Sequence, residues 1–209
     1  MKYLRIYSLL IITILPLFGC QKSNRSVTQI DNKSYINDFE LVQENPNNKT
    51  SVKITSPKAI IDPKSNDIEI FKSTIDILNR NGQDFQVKSG HSTLNNLSNI
   101  ITVFNNVNIS FLDNEKFYIT TNSFIWDLNT SVIEINKPLK INLDETLINA
   151  TNGFYNIDSG ILKIENSEFN RYIYNLEGEG EYKVKIESEF SKWFKKDNTL
   201  VFTSKEKQV

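Results

Sequence analysis

The chain is poor in the residues that most often carry chemistry. Its single cysteine, Cys20, excludes an internal disulfide, and its single histidine, His91, excludes a His-rich metal centre. Glycine and proline number only 7 and 5, so Asn, Asp and Ser bound most of the short apolar runs. Neither sign of charge dominates, with 24 Lys and Arg against 25 Asp and Glu. That balance leaves no basic patch for nucleic acid, and no nucleic-acid partner is expected. G-x-S-x-G, H-E-x-x-H, a Walker loop and C-x-x-C are all absent. No enzyme, cofactor or metal is therefore expected. His91 lies in "KSGHSTL", where a solvated surface position is the default reading.

What the chain has begins at residues 1–20. Lys2 and Arg5 form a basic start, and Ile6 to Phe18 is mostly apolar. That run has signal-peptide length and falls short of the roughly 20 residues that a membrane-spanning helix needs. It ends in Leu17-Phe18-Gly19-Cys20, which resembles a bacterial lipobox. Cleavage after the small Gly19 would leave Cys20 as the lipidated first residue, with enough acyl chains for stable anchoring. Residues 21–34, "QKSNRSVTQIDNKS", are polar and aperiodic and read as a flexible tether.

From Tyr35 onward short alternating runs replace any helical period. Four segments repeat: 52–77, 85–110, 117–142 and 147–170. Each carries a large apolar residue followed by Asp or Asn: Ile61-Asp62, Leu94-Asn95, Trp126-Asp127 and Tyr155-Asn156. Side chains of Asp and Asn bond backbone groups two residues on, so these positions predict turns. Beyond each turn comes an alternating pair: Ile68 and Ile70, Ile101 and Val103, Ile133 and Ile135, Leu162 and Ile164. A further short strand starts near Thr74, Val107, Leu139 and Phe169.

Strands this short bury a face only by stacking their repeats into one interior. The spacing predicts an all-β roll of stacked antiparallel strands over 35–176, with one wet face and one apolar face. Candidate lipid-groove residues, inferred from the alternation, are Ile68, Ile70, Leu94, Ile101, Val103, Trp126, Ile133, Ile135, Leu139, Ile141, Leu162 and Ile164. Two readings of that interior stand open: a packed core, or a slot between sheets that admits acyl chains. The array also leaves edge strands at both ends, which are docking sites for another sheet unless blunted. Residues 177–209 break the repeat and read as a C-terminal extension. It holds a strand near Tyr182 to Ile186, a short helix or amphipathic turn at "SKWFKKDN", and a last strand at "TLVFTS".

The stretches "SFIWDLNTSVIEINKPLKI" (123–141) and "NGFYNIDSGILKIEN" (152–166) resemble the recurring element of the OstA-like family of lipopolysaccharide transport, most closely its LptC group. The resemblance covers about Tyr35 to Asn175. It implies a twisted β-jellyroll whose apolar groove shelters the acyl chains of lipopolysaccharide or a related glycolipid. It also implies two protein partners docked by β-edges: an inner-membrane ABC exporter of the LptBFG type and an LptA-like bridge protein. It further implies a periplasmic location at the inner membrane and passage of lipid without chemistry. Two features depart from the family: a lipid-anchor signature stands where a transmembrane helix is usual, and the extension lies outside its pattern.

Overall fold

The computed structural model describes residues 33–45, 50–79, 82–111, 117–174 and 181–203. The signal segment, Cys20 and all but the last two residues of the tether lie outside the described residues. Fifteen strands follow one another: β1 (Ser34–Asn45), β2 (Thr50–Asp62), β3 (Asp67–Phe71), β4 (Thr74–Asn79), β5 (Gly82–Lys88), β6 (His91–Asn95), β7 (Ile100–Phe111) and β8 (Phe117–Asp127). After these come β9 (Val132–Ile135), β10 (Leu139–Leu143), β11 (Thr146–Ala150), β12 (Asn152–Asn156), β13 (Ile161–Tyr174), β14 (Glu181–Phe194) and β15 (Thr199–Thr203). All pairings are antiparallel and belong to one sheet, so the chain is all-β, as the alternation predicts.

That sheet is folded on itself into two leaves, which makes a jellyroll. In the first leaf β3, β6, the start of β7, the end of β8, β9, β12 and the start of β13 pair in turn. In the second leaf β4, β5, the end of β7, the start of β8, β10, β11 and the end of β13 do the same. Six long strands, β1, β2, β7, β8, β13 and β14, run through both leaves.

The fold line is written in left-handed residues. Asp38, Lys72, Asn105, Asn106 and Asn166 all have positive φ, a conformation that Asn and Asp tolerate best among non-glycine residues. The β7–β8 register slips between Phe104 and Val107, where Asn105 and Asn106 form the kink. Buried hydroxyls satisfy the polar groups at this seam. Ser73 bonds Ser89 at 2.7 Å and Ser92 at 2.6 Å, and Ser167 bonds Ser191 at 2.8 Å. The Thr121 hydroxyl donates to the Pro138 carbonyl at 3.1 Å. Gly90 belongs here because a Cβ would stand 3.1 Å from the Asn105 carbonyl oxygen.

At the far side of the first leaf, five four-residue turns stack: 63–66, 96–99, 128–131, 157–160 and 195–198. The turn chemistry follows the sequence. The Asp62 carboxylate accepts from Lys64 N–H, Asn95 from Leu97 and Ser98 N–H, Asp127 from Asn129 N–H and Asn156 from Ser159 N–H. Each turn ends in a left-handed residue: Asn66, Asn99, Ser131, Gly160 and Asn198. Successive turns are tied by Leu128 N–H to Asn99 O, Ile157 N–H to Ser131 O and Lys195 N–H to Gly160 O.

The fifth turn bears on two expectations. "SKWFKKDN" is the end of β14 and a tight turn, with no helix. β14 and β15, set apart in the sequence as an extension, continue the same sheet, and β14 pairs with β13 from Ile161 to Tyr174. The repeat is hidden there because Phe194 stands where the other turns have Asp or Asn. His91 is also not a solvated surface residue. Its register opposite Phe71 and Phe104 sandwiches the ring between theirs, with centroids at 4.7 and 4.5 Å, and its Nε2 is buried.

Candidate functional site

The interior between the leaves is one apolar cluster. The twelve candidate groove residues are buried in this cluster. Ile68, Ile70, Leu94, Ile101, Val103, Trp126, Ile133, Ile135, Leu162 and Ile164 come from the first leaf, and Leu139 and Ile141 from the second. Each is buried, none more than 6% exposed, so in this state the interior is filled by its own side chains. Their backbone partners alternate with them: Lys140 and Lys163 lie exposed, as strand alternation requires.

Opposite the seam the two leaves meet without any strand pairing among the described residues. Each ladder joins neighbours within a leaf or follows two strands through the seam. Aromatic rings close this mouth instead. Tyr155 of the first leaf packs edge-on against Phe85 and Phe111 of the second, at 5.6 and 5.5 Å. Trp193 of the first leaf meets Phe111 at 5.5 Å and Phe117 at 4.1 Å. Trp193 thus brings β14 against β7 and β8, strands that lie well apart from it in the order of the sheet. Lys195, in the fifth turn, lays its ammonium over the Phe111 ring at 5.7 Å. Burial holds that ammonium below the ordinary lysine pKa.

The aromatics of the second leaf carry a positional signal only in part: Phe111 ends β7 and Phe117 begins β8, while Phe85 lies in the middle of β5. Trp193 takes the last inward place before its turn, as Ile61, Leu94, Trp126 and Tyr155 do before theirs.

Both ends of the roll are open to pairing. Among the described residues β1 pairs only with β2, and β15 only with β14. At the β15 end a cleft of about 470 Å³ enters between the leaves. Its apolar walls are Leu143 and Phe169 from the second leaf and Leu200 and Phe202 from the first, with Arg171 at the rim. Among the described residues no group of three or more His, Cys, Asp or Glu side chains stands close enough to hold a metal.

No curated protein matches the chain. A family model described as "Lipopolysaccharide-assembly, LptC-related" matches residues 4–167. That span covers well over half of the 209 residues and runs from the apolar N-terminal segment through the first half of β13. The protein therefore belongs to the LptC-related lipopolysaccharide-assembly family, whose members act in lipopolysaccharide transport in the cell envelope at the inner membrane.

Proposed function

We propose that this protein is a lipid-conducting bridge of lipopolysaccharide export. It accepts glycolipid from an inner-membrane ABC exporter of the LptBFG type, docked at the free edge of β1. Acyl chains travel between the leaves while the sugar stays in water, and they leave at the β15 end toward an LptA-like protein docked on that edge. Cys20 carries the lipid that holds the chain at the membrane, and residues 21–34 give it reach. No covalent step occurs in the protein.

The observation that carries this reading is the mouth: side chains hold it shut, and no backbone ladder does. Opening it breaks ring contacts and leaves both leaves hydrogen-bonded. Each methylene of an acyl chain then gains about 0.8 kcal/mol by leaving water, which offsets the lost contacts. The inward residues Ile68, Ile70, Leu94, Ile101, Val103, Trp126, Ile133, Ile135, Leu139, Ile141, Leu162 and Ile164 line the path that the chains take. Free edges at β1 and β15 fit sheet-to-sheet docking at each end.

One observation favours a second reading. The interior is fully packed, which suits an assembly protein that binds partners by its edges and never opens. Photocrosslinking in the native envelope separates the two. A photoreactive residue replaces Val103, Ile135 or Ile141, and Lys140 serves as the outward control. Conduction gives ATP-dependent glycolipid adducts at the inward sites alone. A folded, expressed protein with no lipid adduct at any site leaves the closed reading.

A further inference from the structure

Two tryptophans take equivalent places along the turn side of the first leaf, and they differ in one respect. Trp126 and Trp193 each occupy the last inward position before a turn, and each is buried. The Trp193 indole N–H donates to the side chain of Asn198, the left-handed residue that ends its turn, at 3.0 Å. Ser131 takes the same left-handed place in the turn after Trp126. The Trp126 N–H has no hydrogen-bond partner among the described residues. Its cross-strand neighbours, Ile101 and Ile133, offer none.

A buried donor without an acceptor is costly, and folded proteins rarely leave one. Here the fold contains its own remedy, an asparagine at the end of the turn, and uses it two turns away. We propose that the Trp126 N–H is a ligand-binding donor. It takes the carbonyl oxygen of an ester or amide that joins an acyl chain to its sugar. This rests on the conducting reading above. A glycolipid with its chains between the leaves and its sugar in water brings that linkage to the turn side of the first leaf, the row that Trp126 shares with the mouth residues Tyr155 and Trp193. Trp126 thus sets how deep the lipid sits, and it distinguishes acyl chains from alkyl chains of equal length.

Two substitutions test this in the full chain. Trp126→Phe keeps an aromatic ring and deletes the donor. Ser131→Asn supplies the internal acceptor that Asn198 gives Trp193, at a backbone conformation that asparagine favours. The probes are an acylated glucosamine disaccharide phosphate with ester and amide linkages, and a synthetic counterpart in which ethers replace them. Both variants are expected to bind the acyl probe about three- to tenfold more weakly, the worth of one hydrogen bond. Both are expected to bind the ether probe like the parent. In a Trp193→Phe background, Trp126 emission shifts when the acyl probe binds and stays in place with the ether probe.

Equal loss for both probes makes Trp126 a packing residue and overturns the inference. So does unchanged binding of the acyl probe by both variants, and in that case the conducting reading stands. A parent chain that binds neither probe removes the conducting reading and the inference with it.

Discussion

Trp193 and Phe117 belong to different leaves, and their rings meet across the mouth with centroids 4.1 Å apart. Trp193 is 4% exposed and also reaches Phe111 and Asn198. The mouth is therefore held by one large side chain that several partners converge on. Trp193→Ala leaves a cavity that strand-bound neighbours cannot fill, so it should destabilise the fold by about 3–5 kcal/mol. Trp193→Phe should cost about half as much, since most ring contacts survive. Urea unfolding curves measure both. An alanine variant within about 0.5 kcal/mol of the parent would show that the ring contacts do not hold the leaves together.

The same residue decides where the domain ends. A chain stopped at residue 176 keeps the whole span that resembles the family but loses β14, β15 and Trp193. It would expose the edge of β13 from Ile161 to Tyr174 and uncover Phe111 and Phe117. The expected outcome is loss of the cooperative thermal transition and aggregation through the bare edge. A truncated chain that melts like the parent would make the C-terminal hairpin an appendage.

How far the sequence could be read depended on which signals are local. Strand alternation and the Asx turns are local, so the inward faces of β3, β9 and β10 and the turns after Asp62, Asn95, Asp127 and Asn156 are visible in it. The seam is not local. Asn105 and Asn106 lie inside a run that otherwise reads as one strand, and only the paired strands show that the leaf changes there. The fifth repeat was hidden by Phe194 and by the long β13–β14 arm that separates it from the fourth. The aromatic mouth depends on strands distant in sequence coming together, which no single-strand pattern encodes.

The second turn offers a clean measure of turn chemistry. The Asn95 side-chain oxygen accepts from Leu97 N–H, Ser98 N–H and the Ser98 hydroxyl, at 3.1, 2.8 and 2.9 Å. Asn95→Ala should cost about 1–2 kcal/mol. Asn95→Asp keeps the acceptor but loses the bond from Asn95 Nδ2 to the Asp67 carboxylate and sets two carboxylates side by side, so it should also destabilise at pH 7 and recover as pH falls. Asn99 closes that turn at φ 55°. Asn99→Ala should cost about 1–2 kcal/mol, while Asn99→Gly should stay near the parent. Matching losses for alanine and glycine at Asn99 would place the cost in a side-chain contact and not in the backbone.

The proposed lipid anchor turns on one sulfur, that of Cys20. With lipidation at Cys20, Cys20→Ser should abolish cleavage after Gly19 and remove the acyl mass from the mature protein. Intact-mass measurement of protein extracted from membranes reads both changes. A parent chain that retains residues 1–19 and carries no acyl group would make the N-terminal segment an uncleaved anchor.

Lys195 gives the fold a pH dependence whose sign follows from its burial. Its ammonium lies over Phe111 and is partly withdrawn from water, which lowers its pKa from the ordinary 10.5. Between the lowered value and 10.5 the unfolded chain holds more protons at this site than the folded one. Stability contributed by this group therefore rises with pH across that window. Below the window the fold bears the full cost of the desolvated charge. Lys195→Met keeps the apolar stem over the ring and removes the charge, so it should be more stable than the parent at pH 7. That advantage should shrink as pH climbs toward 10.5. Lys185, whose pKa is raised by Glu187 and Glu168, titrates in both proteins and cancels in the difference. Urea midpoints of parent and variant across pH 7 to 10.5 give the comparison. Parallel curves would mean that the Lys195 ammonium stays hydrated and that the mouth is wetter than its rings imply.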